Sequence, residues 1–174
     1  MFNVDQTHRP GRFAPCVSSD MTRRDWHPLP ADDLPDHLIL FDGVCVLCSR
    51  WVDFVIARDA TARFRFVAIQ TPLGRQLAER FRIDPDEPQS NAAVMNGRAY
   101  FKLESVLEVL AAFPAWRWTR MAYLLPRPAQ NFLYDRIARN RYRLFGRRDR
   151  CHVPAAEVRS RFLDVDVASG TELP

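Results

Sequence analysis

The apolar positions of the chain change period from block to block, and each change marks an element. His37-Leu-Ile-Leu-Phe41 is a short apolar run closed by Asp42-Gly43, the pattern of a strand buried on both faces and ended by a turn. In the next block Cys48, Val52, Val55 and Ile56 fall at i, i+4, i+7 and i+8. That is the stripe of a core-facing helix, and it puts Cys45 at or just before the first turn. Arg63 to Ile69 begins in strict alternation and becomes apolar on both faces, a second strand. Thr71-Pro72 supplies an N-cap and a first-turn proline to a helix carrying Leu73, Leu77, Ala78 and Phe81 on one face. Ala92 to Met95 and Arg98 to Lys102 flank Asn96-Gly97, a pair that tolerates the positive φ angles of a type I′ hairpin. Ser105-Val-Leu-Glu108 has capping-box spacing and opens a helix that Pro114 stops. Trp116 to Leu125 and Pro128 to Asn140 predict two further helices, jointed by Pro126 and Pro128.

The order is βαβαββα with two C-terminal helices. A mixed four-stranded sheet satisfies it, with the first two strands joined in parallel by a helical crossover and the last two forming a hairpin. This is a thioredoxin-like α/β layout. The first 36 residues are polar and proline-containing, without apolar periodicity, and predict a flexible leader. Residues 37–154 form the domain, with Arg141 to Pro154 as an irregular basic stretch, and 155–174 read as a loosely held tail.

Length and composition narrow this picture only slightly. The 174 residues fit one domain, and 47% hydrophobic with 26% charged residues excludes a wholly disordered chain. No run approaches the ~18 apolar residues of a membrane span, and no apolar secretory core is present. A cytoplasmic, reducing compartment is the expectation. The net charge of +4 is unevenly placed: from Trp116 to Arg150 ten arginines face Asp135 and Asp149, a local balance of +8.

The candidate chemistry lies in the cysteines. Cys45 and Cys48 stand in Cys-x-x-Cys spacing, which at a helix start brings two sulfurs to one face within disulfide reach. Unpaired N–H groups and the helix dipole favour Cys45 as a thiolate, the nucleophile. Cys48, one turn in on the buried stripe, is the resolving thiol. Val46-Leu47 between them carries no charge, so helix-end electrostatics alone act on Cys45. That predicts a reducing potential, nearer the ~−270 mV of thioredoxin than the ~−120 mV of strong oxidants. Asp42, three residues before Cys45, has two compatible roles: holding the Asp-Gly turn, or relaying the proton that Cys48 must lose.

Leu40-Phe-Asp-Gly-Val-Cys-Val-Leu-Cys48 and, downstream, Asn140-Arg-Tyr-Arg-Leu-Phe-Gly-Arg-Arg-Asp-Arg-Cys-His-Val-Pro154 resemble the DCC family of predicted thiol-disulfide oxidoreductases. The Asp-Cys-Cys pattern of that name is matched by Asp42, Cys45 and Cys48 across a resemblance covering residues 37–154. It implies a thioredoxin-like fold and a redox role. No bound cofactor is expected, the partners being a thiol- or disulfide-bearing protein or small thiol and a recycling reductant. One departure is that thioredoxins place a cis-proline just before the third strand, whereas here the approach is Pro88-Gln-Ser-Asn-Ala92, with Ser90 or Asn91 in that place.

Two other classes compete. Cys45, Cys48, Cys151 and His152 form a Cys₃His set for zinc if the chain brings them together, though adjacent residues rarely both reach one ion. Cys151 otherwise packs under the C-terminal segment or folds back to the active site as an extra redox thiol, and Cys16 reads as an incidental thiol of the leader. The second class is a binding module for nucleic acid or an anionic membrane, using Trp116, Trp118, Tyr134, Tyr142 and Phe145 among the arginines. The plainer expectation is that these aromatics pack the helices onto the sheet, with no nucleic acid bound.

Overall fold

The computed structural model describes residues 26–148 and 156–163. Nine elements of regular α or β structure lie within them: β1 (Leu29–Pro30), β2 (Leu38–Phe41), α1 (Val46–Arg58), β3 (Arg65–Ala68), α2 (Pro72–Arg80), β4 (Ala92–Met95), β5 (Arg98–Phe101), α3 (Lys102–Ala111) and α4 (Arg127–Phe145). A 3-10 segment, Pro114–Leu124, joins α3 to α4, and a second spans Ala156–Arg161.

The sheet order is β1-β5-β4-β2-β3. β2 and β3 are parallel through α1, while β2–β4 and β4–β5 are antiparallel, so the expected thioredoxin-like mixed sheet is present. Side chains alternate across it. Leu38, Leu40, Val67 and Val94 face the side covered by α2, with Leu77 and Phe81. Ile39, Phe41, Phe66 and Met95 face the side covered by α1 and α3, with Val52, Val55 and Val109. α2 lies so close to β3 that a Cβ on Gly74 would fall 1.9 Å from the Ala68 carbonyl oxygen, so glycine is required there. The Asn96-Gly97 turn has φ 53° and 70°, the type I′ geometry the sequence predicts.

Five expectations are corrected. The leader does not extend to residue 36: β1 adds a fifth strand beside β5, Ala31 is fully buried, and the Trp26 ring packs 5.4 Å from that of Phe101. Two residues carry no legible period, and what holds them is this pairing and packing. α3 starts at Lys102, not at Ser105. Lys102 takes φ 51° and its N–H donates to Ser90 Oγ at 2.9 Å, so the hydroxyl that meets the helix start comes from Ser90. Trp116 to Leu125 is 3-10 rather than α. With three residues per turn, Trp116, Thr119 and Ala122 share the inward face. α4 continues past Asn140 to Phe145 and ends where Gly146, at φ 91°, provides the backbone freedom to leave the helix. The expected tail begins with a docked segment. Phe162 packs on Phe66, and the Leu163 N–H donates to the Phe66 carbonyl at 2.9 Å.

Among the described residues no helix is long and apolar enough to cross a membrane.

Candidate active site

The β2–α1 junction sets the position of the thiols. Asp42 ends the buried strand, and its Oδ1 accepts the Val44 N–H at 3.2 Å, closing the turn. Cys45 is the N-cap of α1, in extended conformation, and its carbonyl accepts the Ser49 N–H at 3.0 Å. Cys48 stands one turn later, and both thiols are free.

Their exposure reverses the expected order. Cys45 is 0% exposed, because Gly146–Arg148 crosses it: Cys45 lies opposite Arg147 in an antiparallel bridge, and the Arg148 N–H donates to the Val44 carbonyl at 2.8 Å. Cys48 is half-buried, at the edge of the α1 stripe, where Ser49, Val52 and Val55 are the buried residues.

The two sulfurs share a hydrogen bond that splits their acidities. Donation from the Cys48 thiol, opposed by burial and assisted by the Cys48 backbone N–H and the Arg141 guanidinium, holds the Cys45 thiol down at about 6. The same sulfur–sulfur bond, then burial and the negative charges of Cys45 and Asp42, push Cys48 well above the ordinary thiol range.

Arg141 is the group that sequence reading missed, since the helix was expected to end one residue before it. Its Nη2 donates to Asp42 Oδ2 at 3.0 Å and its Nη1 to the Pro88 carbonyl at 2.7 Å. Tyr142 also donates to Asp42 Oδ2, and Gln70 Nε2 donates to Oδ1 at 2.8 Å. Asp42 is 3% exposed, and four donors meet its two oxygens. The turn-holding role is therefore present, and a buried cation is added to it. A signal for Arg141 existed: Tyr134, Ala138 and Arg141 fall at i, i+4 and i+7, a single cation on an otherwise inward stripe.

A cavity of about 260 Å³ opens between α1, α3 and α4, with Cys48, Asp42 and Arg141 on its wall. Pro88, Ser90 and Asn91 also line it, so the Pro88-Gln-Ser-Asn-Ala92 approach does stand beside the thiols. The Tyr134 hydroxyl donates to Asn91 Oδ1 at 2.9 Å and accepts the Asn91 N–H at 3.3 Å.

Cys16, Cys151 and His152 lie outside the described residues, so two of the four zinc ligands considered have no described position. Among the described residues no three His, Cys, Asp or Glu side chains group to hold a metal ion. The basic C-terminal aromatics divide. Trp116 packs on the core and Tyr134 and Tyr142 serve the site, but Trp118 is 65% exposed, and Phe132 and Phe145 also face outward.

The chain is similar to YuxK of Bacillus subtilis (strain 168), 30% identical over 136 residues that span 78% of this chain and 99% of that protein. It is also similar to a chloroplastic DCC family protein of Arabidopsis thaliana, 38% identical over 119 residues, 67% of this chain and 69% of that one. No solved structure matches it significantly. The profile of the DCC1-like thiol-disulfide oxidoreductases matches residues 39–147, a stretch that runs from β2 through both thiols and Arg141 to the segment covering Cys45, and the chain belongs to that family.

Proposed function

We propose that the chain exchanges thiols and disulfides through Cys45 and Cys48 without a bound cofactor. The observation that carries this is the placement of two free thiols at one helix start, Cys45 as the N-cap of α1 and Cys48 one turn on, with Asp42 and Arg141 beside them. With its thiol at about 6, Cys45 is mostly thiolate at neutral pH, while Cys48 keeps its proton. The Cys45 thiolate attacks one sulfur of a substrate disulfide. The substrate S–S bond breaks, and one half leaves as thiolate. Cys48 then loses its proton and attacks the Cys45 sulfur, releasing the other half and leaving the Cys45–Cys48 disulfide, so two electrons pass to the substrate. A recycling reductant, itself a thiol, returns them.

Asp42 serves as a positioning residue in this scheme. Its oxygens hold Arg141 beside the thiols, and the relay role for the Cys48 proton is tested by the pH profile of Asp42→Asn. Arg141 stabilises the thiolate and so the reduced form. The potential expected is therefore above that of thioredoxin yet still on the reducing side, between ~−270 and ~−180 mV.

Trapping with Cys48→Ser is the test. The expected result is mixed disulfides on Cys45 in cell extract, reversible by dithiothreitol and absent from the Cys45→Ser/Cys48→Ser double variant. No adduct on Cys45 sinks the reading.

A second reading concerns the C-terminal helices and rests on a separate observation. Trp118, Met121, Leu124, Phe132 and Leu144 are all more than 60% exposed within a stretch rich in arginine. Such a surface fits an anionic membrane interface. Co-sedimentation with anionic but not zwitterionic vesicles supports it, and equal recovery with both opposes it.

A further inference from the structure

The cavity beside Cys48 has a chemistry of its own. Its wall is built from Leu47 and Trp51 of α1, Leu103 and Val106 of α3, and Ile137 and Ala138 of α4. Several polar groups on that wall have their partners inside the protein, while Arg141 Nε is buried without one. Ser90 Oγ accepts the Lys102 N–H and donates to the Asn91 carbonyl. The Asn91 side chain and N–H are engaged by Tyr134. Asp42 and Arg141, the charged residues of the lining, are bonded to each other. What remains toward the cavity is mostly hydrocarbon, with the half-buried Cys48 set in it.

We propose that this cavity is the substrate-binding site and that the exchanging sulfur arrives carrying a compact apolar group, alkyl or aryl, as part of a small-molecule thiol or disulfide. The proposal rests on the exchange reading and names its substrate class. First, glutathione brings two carboxylates and an ammonium, whereas the lining offers one carboxylate and one guanidinium that are paired with each other, with the Arg141 Nε left open. Burying a charge without a partner is strongly unfavourable. Second, about 260 Å³ lies just below the ~300–1,000 Å³ of sites for drug-sized ligands, which suits a benzyl-sized group rather than a large cofactor. Third, Gly146–Arg148 covers the fully buried Cys45, and Cys48 borders the cavity, so the cavity reaches the pair at Cys48 with no backbone hydrogen bonds broken.

The step balances within the reading already given. The substrate R–S–S–R′ places R in the cavity, and once the Cys48 side chain swings aside to admit the sulfur, the Cys45 thiolate bonds to the sulfur bearing R. R′S⁻ leaves with the electron pair of the broken bond and takes a proton from water. Attack by Cys48, its proton passing to water, then frees RS⁻.

The test uses mixed disulfides that share one thionitrobenzoate leaving group and differ in R: benzyl, butyl, carboxymethyl and glutathionyl. Rates are normalised to the reaction of each with a free small thiol. The expected kcat/KM for benzyl exceeds that for glutathionyl by at least ~10-fold, as about 1.4 kcal/mol of apolar burial produces. Val106→Asp, which puts a carboxylate on the wall, should erase the preference for benzyl. Equal rates for all four R groups overturn the proposal. If no disulfide is exchanged, the exchange reading itself fails, and a binding measurement still decides on the cavity. Benzyl methyl sulfide, a thioether that cannot exchange, should slow alkylation of Cys48 by iodoacetamide in the wild-type protein. It should not do so in Val106→Asp or in Ala138→Phe, which fills the space. Absence of protection in the wild-type protein overturns the proposal regardless of turnover.

Discussion

Helix α1 is finished at both ends by the same device. A buried aspartate flanks each end, Asp42 before it and Asp59 as its C-cap, and each is met by an arginine far downstream, 99 residues away for Arg141 and 102 for Arg161. At the C-terminal end the pair is structural. Burial alone would push the Asp59 carboxyl up, but the N–H groups of Phe64 and Arg63, with Arg161, outweigh it and hold the group below its ordinary value. Arg161 in turn donates to the Phe64 carbonyl at 3.2 Å, fastening the segment after Ala156 beside β3. At the N-terminal end the arginine has a second set of neighbours, the two sulfurs. One charge pair thus fastens α4 to the sheet and also sets a guanidinium beside the two thiols. The difference between the ends is not in the pair but in what stands beside it.

Removing one partner tests the comparison most severely. Arg161→Met removes the buried cation of Asp59, leaving it the half-exposed Arg63 at 3.8 Å, and should lower stability by ~3 kcal/mol in urea unfolding. The alkylation midpoint of Cys45 should stay at about 6; if it moves, the ends are coupled and the comparison breaks. The pH dependence follows from the sign of the shift. A carboxyl lower in the folded than in the unfolded state stabilises fully above its unfolded value of ~3.9 and loses that contribution as pH falls through the folded value. Asp59→Asn should therefore flatten the acid limb of the stability curve.

Arg141→Met is the sharper probe. It carries a comparable stability loss and in addition should raise the Cys45 midpoint by ~1 unit, an approximately 10-fold loss of thiolate near pH 5. Iodoacetamide rates against pH, with the two cysteines separated by mass spectrometry, measure this. An unmoved midpoint would reduce Arg141 to the status of Arg161. The smallest effect is expected from Tyr142→Phe, which removes one donor to Asp42 Oδ2 while the Arg141 bond persists. A loss of ~1 kcal/mol in urea unfolding is expected. A loss as large as that of Arg161→Met would make Tyr142 the principal anchor of Asp42.

What was legible in the sequence follows from how local each signal is. β2, α1, β3, α2 and the hairpin each carry a period or a turn pair within a dozen residues, and the N-cap position of Cys45 follows from the stripe behind it. β1 is two residues long and exists through its pairing with β5, so it leaves no periodic trace. Ser105 looks like an N-cap, but the chain had already turned at Lys102, where Ser90 supplies the hydroxyl from 12 residues earlier. Arg141 acts on residues that only the fold brings near, and its basic neighbours disguise it as one more surface arginine. Cys45 and Cys48 exchanged their expected exposures for the same reason: the segment that covers Cys45 returns from the far end of α4.

β1 and the Phe162 segment have a joint consequence for how copies of this chain meet one another. One margin of the sheet ends in a two-residue strand containing Pro30, which has no N–H to offer a further strand. The opposite margin, β3, is met by the Leu163 N–H on the Phe66 carbonyl. Neither margin is left as a long open ladder, so the sheet resists edge-to-edge growth into aggregates. A chain cut before Ala156 would bare β3 and regain that hazard.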